Sequence, residues 1–325
     1  MTPDSTSAGK PFASQPPVSP NTSTLGNPIY AYRICLAILI GLLSGSVCYV
    51  YQAHFQPHGG DFGWILHSVP PLLAGQNPYQ ATAQDWPLRY PLITLLTLIP
   101  FAWLPYPLAA ALFFGLSSAG LAYGLMRTHM WRLLVFLCFP FYGALQVAQW
   151  APLLGIAYLY PTLVPITMLK PSIGLPIALT TRITKRDIFI VGIAIALSFV
   201  LLPTWVGDMI RQFAAHPNVT PVLSIPGLVL IALVALRWQI FRHSREAWFI
   251  LLLACIPQTL FYDTFLLSLT LPTRRALLLF VVCSWIAYIG WFFAPWLEPT
   301  WLIIFLYLPA MALVLGVIPT QDESS

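Results

Sequence analysis

The sequence predicts an all-α fold: a polytopic transmembrane helical bundle of about 10–12 spans, with an interfacial helix in the first outer loop. Three observations lead there. The 325 residues are 58% hydrophobic and only 8% charged, whereas soluble domains carry about 25% charged residues. The mean hydropathy is +0.78. The apolar residues fall in long continuous runs, not in the short alternating segments of a membrane β-barrel. In lipid the backbone must satisfy its own hydrogen bonds, which makes helices the default.

The net charge is +5, yet the basic residues sit in small clusters between apolar runs, where they set orientation. No basic stripe is interleaved with aromatics, so nucleic acid is not an expected partner. The five cysteines, Cys35, Cys48, Cys138, Cys255 and Cys283, lie in apolar stretches without metal-type spacing and read as packing residues.

Residues 1–28 are rich in Ser, Thr and Pro and are expected to form a disordered cytoplasmic tail. A single membrane domain, 29–319, follows, and 320–325 form a second cytoplasmic tail. The first span is expected at Tyr30–Tyr51, with Lys10 and Arg33 holding the N-terminus inside. The stretch 52–90 then forms the first outer loop. Within it Phe62–Leu73 is amphipathic and too short to span, which suits a helix in the interface plane if Pro70 and Pro71 are tolerated. The same stretch would also suit a loop packed on neighbouring spans.

Apolar runs alternate with breaks from Leu92 to Val317. Pro161, Pro165, Pro171 and Pro176 interrupt the region from 150 to 182, so it is expected to line an internal cavity. The clusters Arg182/Lys185/Arg186, Arg237/Arg242/Arg245 and Arg274/Arg275 are expected inside. Arg127 and Arg132 conflict with simple alternation unless a hairpin near Pro100–Pro107 fails to cross. The stretch Trp205–Ser224 falls outside as a second outer loop.

Ionisable residues that lipid should exclude are candidates for function. Asp4, Asp322 and Glu323 lie in the tails, Asp187 and Glu246 beside basic clusters, and Asp208 and Glu298 in expected outer loops. Asp61, Asp85 and Asp263 remain. Asp61 follows two glycines in HGGDFGW, where a carboxylate can deprotonate a hydroxyl or simply cap the next helix. Lys170, in TMLKPSIGLP, offers a cation for a phosphate, or snorkels to an interface. Gln146 and Gln149 can bond a sugar or hold helices together. Asp263 follows Tyr262 at the end of an apolar run. His54, His58 and His67 fit no standard zinc spacing.

The order of these pieces resembles glycosyltransferase family 87, polytopic enzymes of the GT-C type. The family pattern is an outer-loop aspartate, a segment like "LaGgdPY", "YPP" opening a span, a "GQ" element and an "lKP" element. Similar pieces here are Asp61, LLAGQNPY (72–79), RYPLI (89–93), AQWAPLL (148–154) and LKPSIGL (169–175). Tyr262–Asp263 is similar to a later aromatic-Asp element. The departures are Ala148 for the usual Gly, Leu92 for the second Pro, and a missing basic loop between the "GQ" and "KP" elements.

The resemblance implies an inverting transferase in a bacterial plasma membrane. It would move a sugar, commonly mannose, from a polyprenyl-phosphate donor to a lipid or glycan acceptor on the outer face. Asp61 would be the general base, Lys170 and Arg89 would contact the donor phosphate, and Tyr79, Tyr90, Gln149 and Asp263 would shape the sugar and acceptor pocket. No cofactor is implied, although some GT-C enzymes use a divalent metal. Two other readings remain: a transporter or flippase for a lipid-linked or small polar substrate, and a non-catalytic membrane subunit of an envelope assembly.

Overall fold

The computed structural model describes residues 28–55, 61–82, 88–214, 219–257 and 260–319. For Asp61, Leu260, Phe261, Leu297 and Glu298 only the backbone is described. The expected tails, His58 and Asp85 lie outside these residues. Every regular element among the described residues is helical, and none is a β-strand.

Helix α1 (Pro28–His54) lies antiparallel to α5 (Tyr106–Thr128). Small residues allow the two backbones to touch. A Cβ on Gly41 would stand 2.8 Å from the Gly115 carbonyl oxygen, and one on Gly45 would stand 2.9 Å from that of Ala111. The Tyr30 and Tyr123 rings, 6.2 Å apart, mark one end of the pair. The Tyr106 hydroxyl, donating to Gln52 Oε1 at 2.7 Å, marks the other.

Both α1's exit and α5's entry are therefore at the same end. The intervening α2 (Asp61–Leu73), α3 (Pro78–Ala81) and α4 (Leu92–Leu98) leave that end and come back to it. At seven residues α4 rises only about 10 Å. This short excursion brings Arg127, at the far end of α5, to the end where α1 begins. The conflict over Arg127 and Arg132 disappears with it.

From there a 3-10 segment, Met130–Leu137, and α6 (Phe139–Gln146) run back, reaching α1's exit where Gln52 Nε2 donates to the Gln146 carbonyl at 2.6 Å. Helix α7 (Ala151–Leu159) descends along α5, with Ile156 against Gly120 and Tyr160 against Gly124. The proline-rich stretch then folds as a hairpin. A 3-10 segment, Pro161–Leu169, rises to Lys170, and α8 (Pro171–Leu179) returns. The hairpin arms are so close that a Cβ on Gly174 would fall 2.0 Å from the Thr167 carbonyl oxygen.

Helix α9 (Lys185–Leu201) starts with a capping box, in which Thr184 and Asp187 satisfy each other's backbone N–H. Asp187, noted from sequence beside a basic cluster, is thus a helix cap covered by its neighbours at 3% exposure. Helix α10 (Trp205–Ala214) turns by 92° from α9. Helix α11 (Ile225–Leu236), the short α12 (Trp238–Phe241) and α13 (Arg245–Cys255) follow. The single turn α14 (Leu260–Asp263) leads into a 3-10 segment, Thr264–Thr270. Helix α15 (Arg274–Phe293) crosses the molecule, and α16 (Glu298–Leu302), a π-helical turn and α17 (Leu308–Val314) complete it.

Among the described residues three helices, α1, α5 and α15, are long and apolar enough to cross a membrane, or four if the bent pair α9–α10 counts as one span. The outside of the bundle carries large apolar side chains such as Leu42, Val200, Leu236 and Phe293, which are 65%, 80%, 80% and 74% exposed. The basic clusters gather at one end. Arg127 lies over the Tyr160 ring, and Arg245 donates to the Thr180 carbonyl next to the Arg182/Lys185/Arg186 cluster. Arg274 follows Thr270 by four residues at the same end.

Candidate functional site

The polar centre is built from two broken hairpins that enter from the basic end. Nine 3-10 residues rise about 18 Å to Lys170, and the nine residues of α8 fall about 13 Å from it. The eleven residues of α13 rise about 16 Å, and the seven 3-10 residues after Asp263 fall about 14 Å. The matching lengths bring the two tips to similar heights. There Lys170 Nζ donates to Asp263 Oδ1 at 2.8 Å, with side-chain exposures of 8% and 1%. The ammonium also lies 5.0 Å from the centroid of the Tyr262 ring.

Prolines explain the breaks. Pro171 and Pro161 each open their helix at the first turn, where a missing N–H costs nothing. The Thr94 hydroxyl of α4 donates to the Leu169 carbonyl at 2.7 Å, taking up an acceptor that the break would leave bare inside the protein.

Gln149 sits at a second kind of break. Helix α6 ends in a Schellman motif: Gln149 N donates to the Ala144 carbonyl at 2.8 Å, and Ala148 N to that of Leu145 at 3.3 Å. The C′ position of this motif needs a left-handed backbone, and Ala148 holds it at φ 47°. Glycine is the usual residue there, so the departure noted from sequence falls where the backbone is strained. Gln149 is fully buried, and its Oε1 accepts from Trp150 N at 2.8 Å.

The segment LLAGQNPY is organised the same way. Gly75, at φ 73°, ends α2, with Gln76 N donating to the Pro71 carbonyl. Pro70 and Pro71 are accommodated within α2. Asn77 caps α3, accepting from Tyr79 N at 3.0 Å, and Pro78 occupies the first helical position. The Tyr79 hydroxyl donates to the Tyr90 carbonyl at 2.8 Å. Burial, reinforced by the Asp208 charge, pushes that phenol far above its usual range, so it stays a donor. The Tyr90 ring lies 6.3 Å from the ring of Trp150, the neighbour of Gln149.

The structure therefore joins Lys170 to Asp263, joins Tyr79 to Tyr90, and sets Tyr90 beside the Gln149 turn. Arg89 rests on α2: its guanidinium lies 5.2 Å over the Trp64 ring, and its buried Nε finds no acceptor among the described residues. The Asp61 side chain lies outside the described residues, although its backbone begins α2. Comparison with protein-family models, with curated proteins and with solved structures found no match for this chain.

Asp208 is a residue whose contacts the sequence did not show. The expected outer loop contains α10, and Asp208 is buried in it at 3% exposure. Its carboxylate accepts from Asn77 Nδ2 at 2.8 Å and from the Thr204 hydroxyl at 2.7 Å, and it pairs with Arg211. Burial works to raise its pKa, but the hydrogen bonds from Thr204 and Asn77 and the Arg211 charge outweigh that and hold it below the ordinary value. Gln212 adds a bond from its Nε2 to the Tyr79 carbonyl at 3.0 Å. Helix α10 is thus strapped across LLAGQNPY. The spacings Thr204/Asp208 and Asp208/Arg211, four and three residues, are helical and legible.

Chemically, the centre offers a charge-compensated ammonium with two further N–H donors, an aromatic wall and buried amide and phenol groups. Among the described residues no three His, Cys, Asp or Glu side chains cluster.

Proposed function

We propose that this chain is a polytopic protein of the cell membrane, a bacterial plasma membrane, with its basic end in the cytoplasm. It transfers a sugar, mannose by resemblance, from a polyprenyl-phosphate donor to a lipid or glycan acceptor on the outer face. The large apolar side chains on the outside of the bundle support the membrane reading. The collection of basic clusters at one end supports the orientation. On this reading α2 and α10, both near α1's exit, lie in the outer interface.

The observation that carries the proposal is the buried Lys170–Asp263 pair at the tips of two broken hairpins. Charges at that depth mark substrate sites. In the proposed reaction an acceptor hydroxyl attacks the anomeric carbon as its bond to the phosphate oxygen breaks. Asp61 takes the hydroxyl proton, polyprenyl phosphate leaves with the bonding pair, and the anomeric configuration inverts. Lys170 spends one donor on Asp263 and keeps two for the leaving phosphate. Arg89, next to α2, is the second candidate for that phosphate, while Tyr79, Tyr90 and Gln149 bound the sugar pocket.

The test is transfer from a polyprenyl-phosphate sugar in nanodiscs, with wild type beside Asp61→Asn. Wild type should form product with inverted configuration, and the variant should lose transfer while keeping its helical circular dichroism. Full transfer by Asp61→Asn sinks the general-base role. A second reading, a transporter, is favoured by the same paired hairpin tips, since discontinuous helices build transporter sites. Substrate flux in sealed vesicles without covalent product would support it. Neither transfer nor flux would favour a non-catalytic subunit.

A further inference from the structure

At the basic end lies a cavity of about 320 Å³, far from the tips of the hairpins, bounded by Arg132, Arg245, Tyr158, Ser244, Glu246 and Thr270. Two guanidiniums face it, with Glu246 in the same lining, and among the described residues neither has a carboxylate oxygen within ion-pair distance. Arg245 is held rigidly. Its Nε donates to the Thr180 carbonyl at 2.9 Å, and its Nη2 to the Tyr158 carbonyl at 3.1 Å and the Thr181 hydroxyl at 3.2 Å. It also stacks on the Tyr158 ring at 4.6 Å. These contacts fix the fork and leave Nη1 without an acceptor from the described residues.

Arg132 is tethered more loosely, with Nη1 donating to the Leu269 carbonyl at 3.3 Å. Its Nε is fully buried, with no hydrogen-bond partner among the described residues. A buried, charged donor left unsatisfied asks for a ligand. One fixed guanidinium with a second beside it suits an oxyanion, which takes parallel N–H bonds from the planar forks. Ser244 and Thr270 add neutral polar groups to the rim. Glu246 lines the same cavity and opposes an anion, so the lining carries a net single positive charge.

We propose that this cavity binds a phosphate group, distinct from the site of the hairpin tips. The phosphate belongs either to a soluble phosphate ester or to the headgroup of an anionic lipid at the basic end. The volume leaves room for a small substituent on the phosphate, within the ordinary range of ligand pockets of roughly 300–1,000 Å³. The proposal does not depend on sugar transfer.

The test uses the full chain in nanodiscs and follows thermal unfolding. In discs of neutral phosphatidylcholine, inorganic phosphate at constant ionic strength is titrated against chloride. In a second arm phosphatidylglycerol replaces part of the neutral lipid. A saturable rise in Tm with inorganic phosphate identifies a soluble ester. A rise with phosphatidylglycerol only identifies a headgroup. In either case Arg132→Gln should weaken the apparent affinity at least tenfold, and Glu246→Gln should tighten it several-fold. If Arg132→Gln fails to fold, Glu246→Gln still decides, because unchanged or weaker binding overturns the site. No saturable response in either arm, or equal responses in wild type and Arg132→Gln, also overturns it.

Discussion

Asp263→Asn leaves the Lys170 ammonium, 8% exposed, without its counter-charge. At the observed 2.8 Å, and with an effective dielectric of about 20, the attraction between the two charges is about 6 kcal/mol. Most of that offsets the removal of both ions from water, so the pair adds little net stability. Removing one partner is a different matter, because the remaining ion keeps its desolvation cost, and such changes lose about 3–5 kcal/mol. Replacing both, in Lys170→Met with Asp263→Leu, removes the cost together with the attraction. The double variant should recover to within about 2 kcal/mol of wild type. Tryptophan fluorescence and circular dichroism during unfolding in mixed micelles would give the stabilities of wild type, Lys170→Met, Asp263→Leu and the double variant, the four corners of the cycle. A single variant within about 1 kcal/mol of wild type, as for an exposed pair, would refute the buried, dry environment. So would a double variant as unstable as the sum of the singles. Under the proposed function the double variant is also inactive, which separates folding from chemistry.

Four further outcomes follow from particular contacts. Ala148→Val, a β-branched residue at φ 47°, should cost about 2 kcal/mol or more by the same unfolding assay, while Ala148→Gly should leave stability within about 1 kcal/mol. Gly174→Ala must part Thr167 from α8 and should lose about 3 kcal/mol, the upper part of the range for overpacking. Tyr79→Phe removes the 2.8 Å bond to the Tyr90 carbonyl and should cost about 1–3 kcal/mol, since the acceptor stays buried. Asp208 has a folded pKa below its unfolded value, so its contribution is present above about pH 4 and is lost as pH falls through the folded value. The stability gap between wild type and Asp208→Asn should therefore be open at neutral pH and close on acidification. A gap that widens towards low pH would contradict the hydrogen bonds assigned to that carboxylate.

The elements that could be read from sequence are those whose cause is local. Helix α1 was expected at Tyr30–Tyr51 and runs Pro28–His54. The expected helix over Phe62–Leu73 is present despite its two prolines. The proline pattern around Lys170 announced a break, and a hairpin turns there. The conflict at Arg127 came from assuming that each apolar run crosses; α4 is too short to do so. The pairing of Lys170 with Asp263 joins residues 93 positions apart, and nothing in either neighbourhood encodes the other. The burial of Asp187 and Asp208 was missed for a different reason. They were sorted by location alone, whereas their neighbours at helical spacing, Thr184 and Thr204, already offered the hydroxyls that satisfy the buried carboxylates.

The distance along the chain between Lys170 and Asp263 also orders events during synthesis. At about 5–20 residues per second, Asp263 is added roughly 5–20 s after Lys170. Through that interval the first hairpin has prolines, a close-packed glycine and an ammonium, but no carboxylate to receive it. The second hairpin brings that carboxylate. On the membrane reading the lysine of the first hairpin must stay hydrated, or bear the desolvation of an unpaired charge, until the second is made. A chain truncated between α9 and α13 would thus hold a lysine without the carboxylate that compensates it in the full chain.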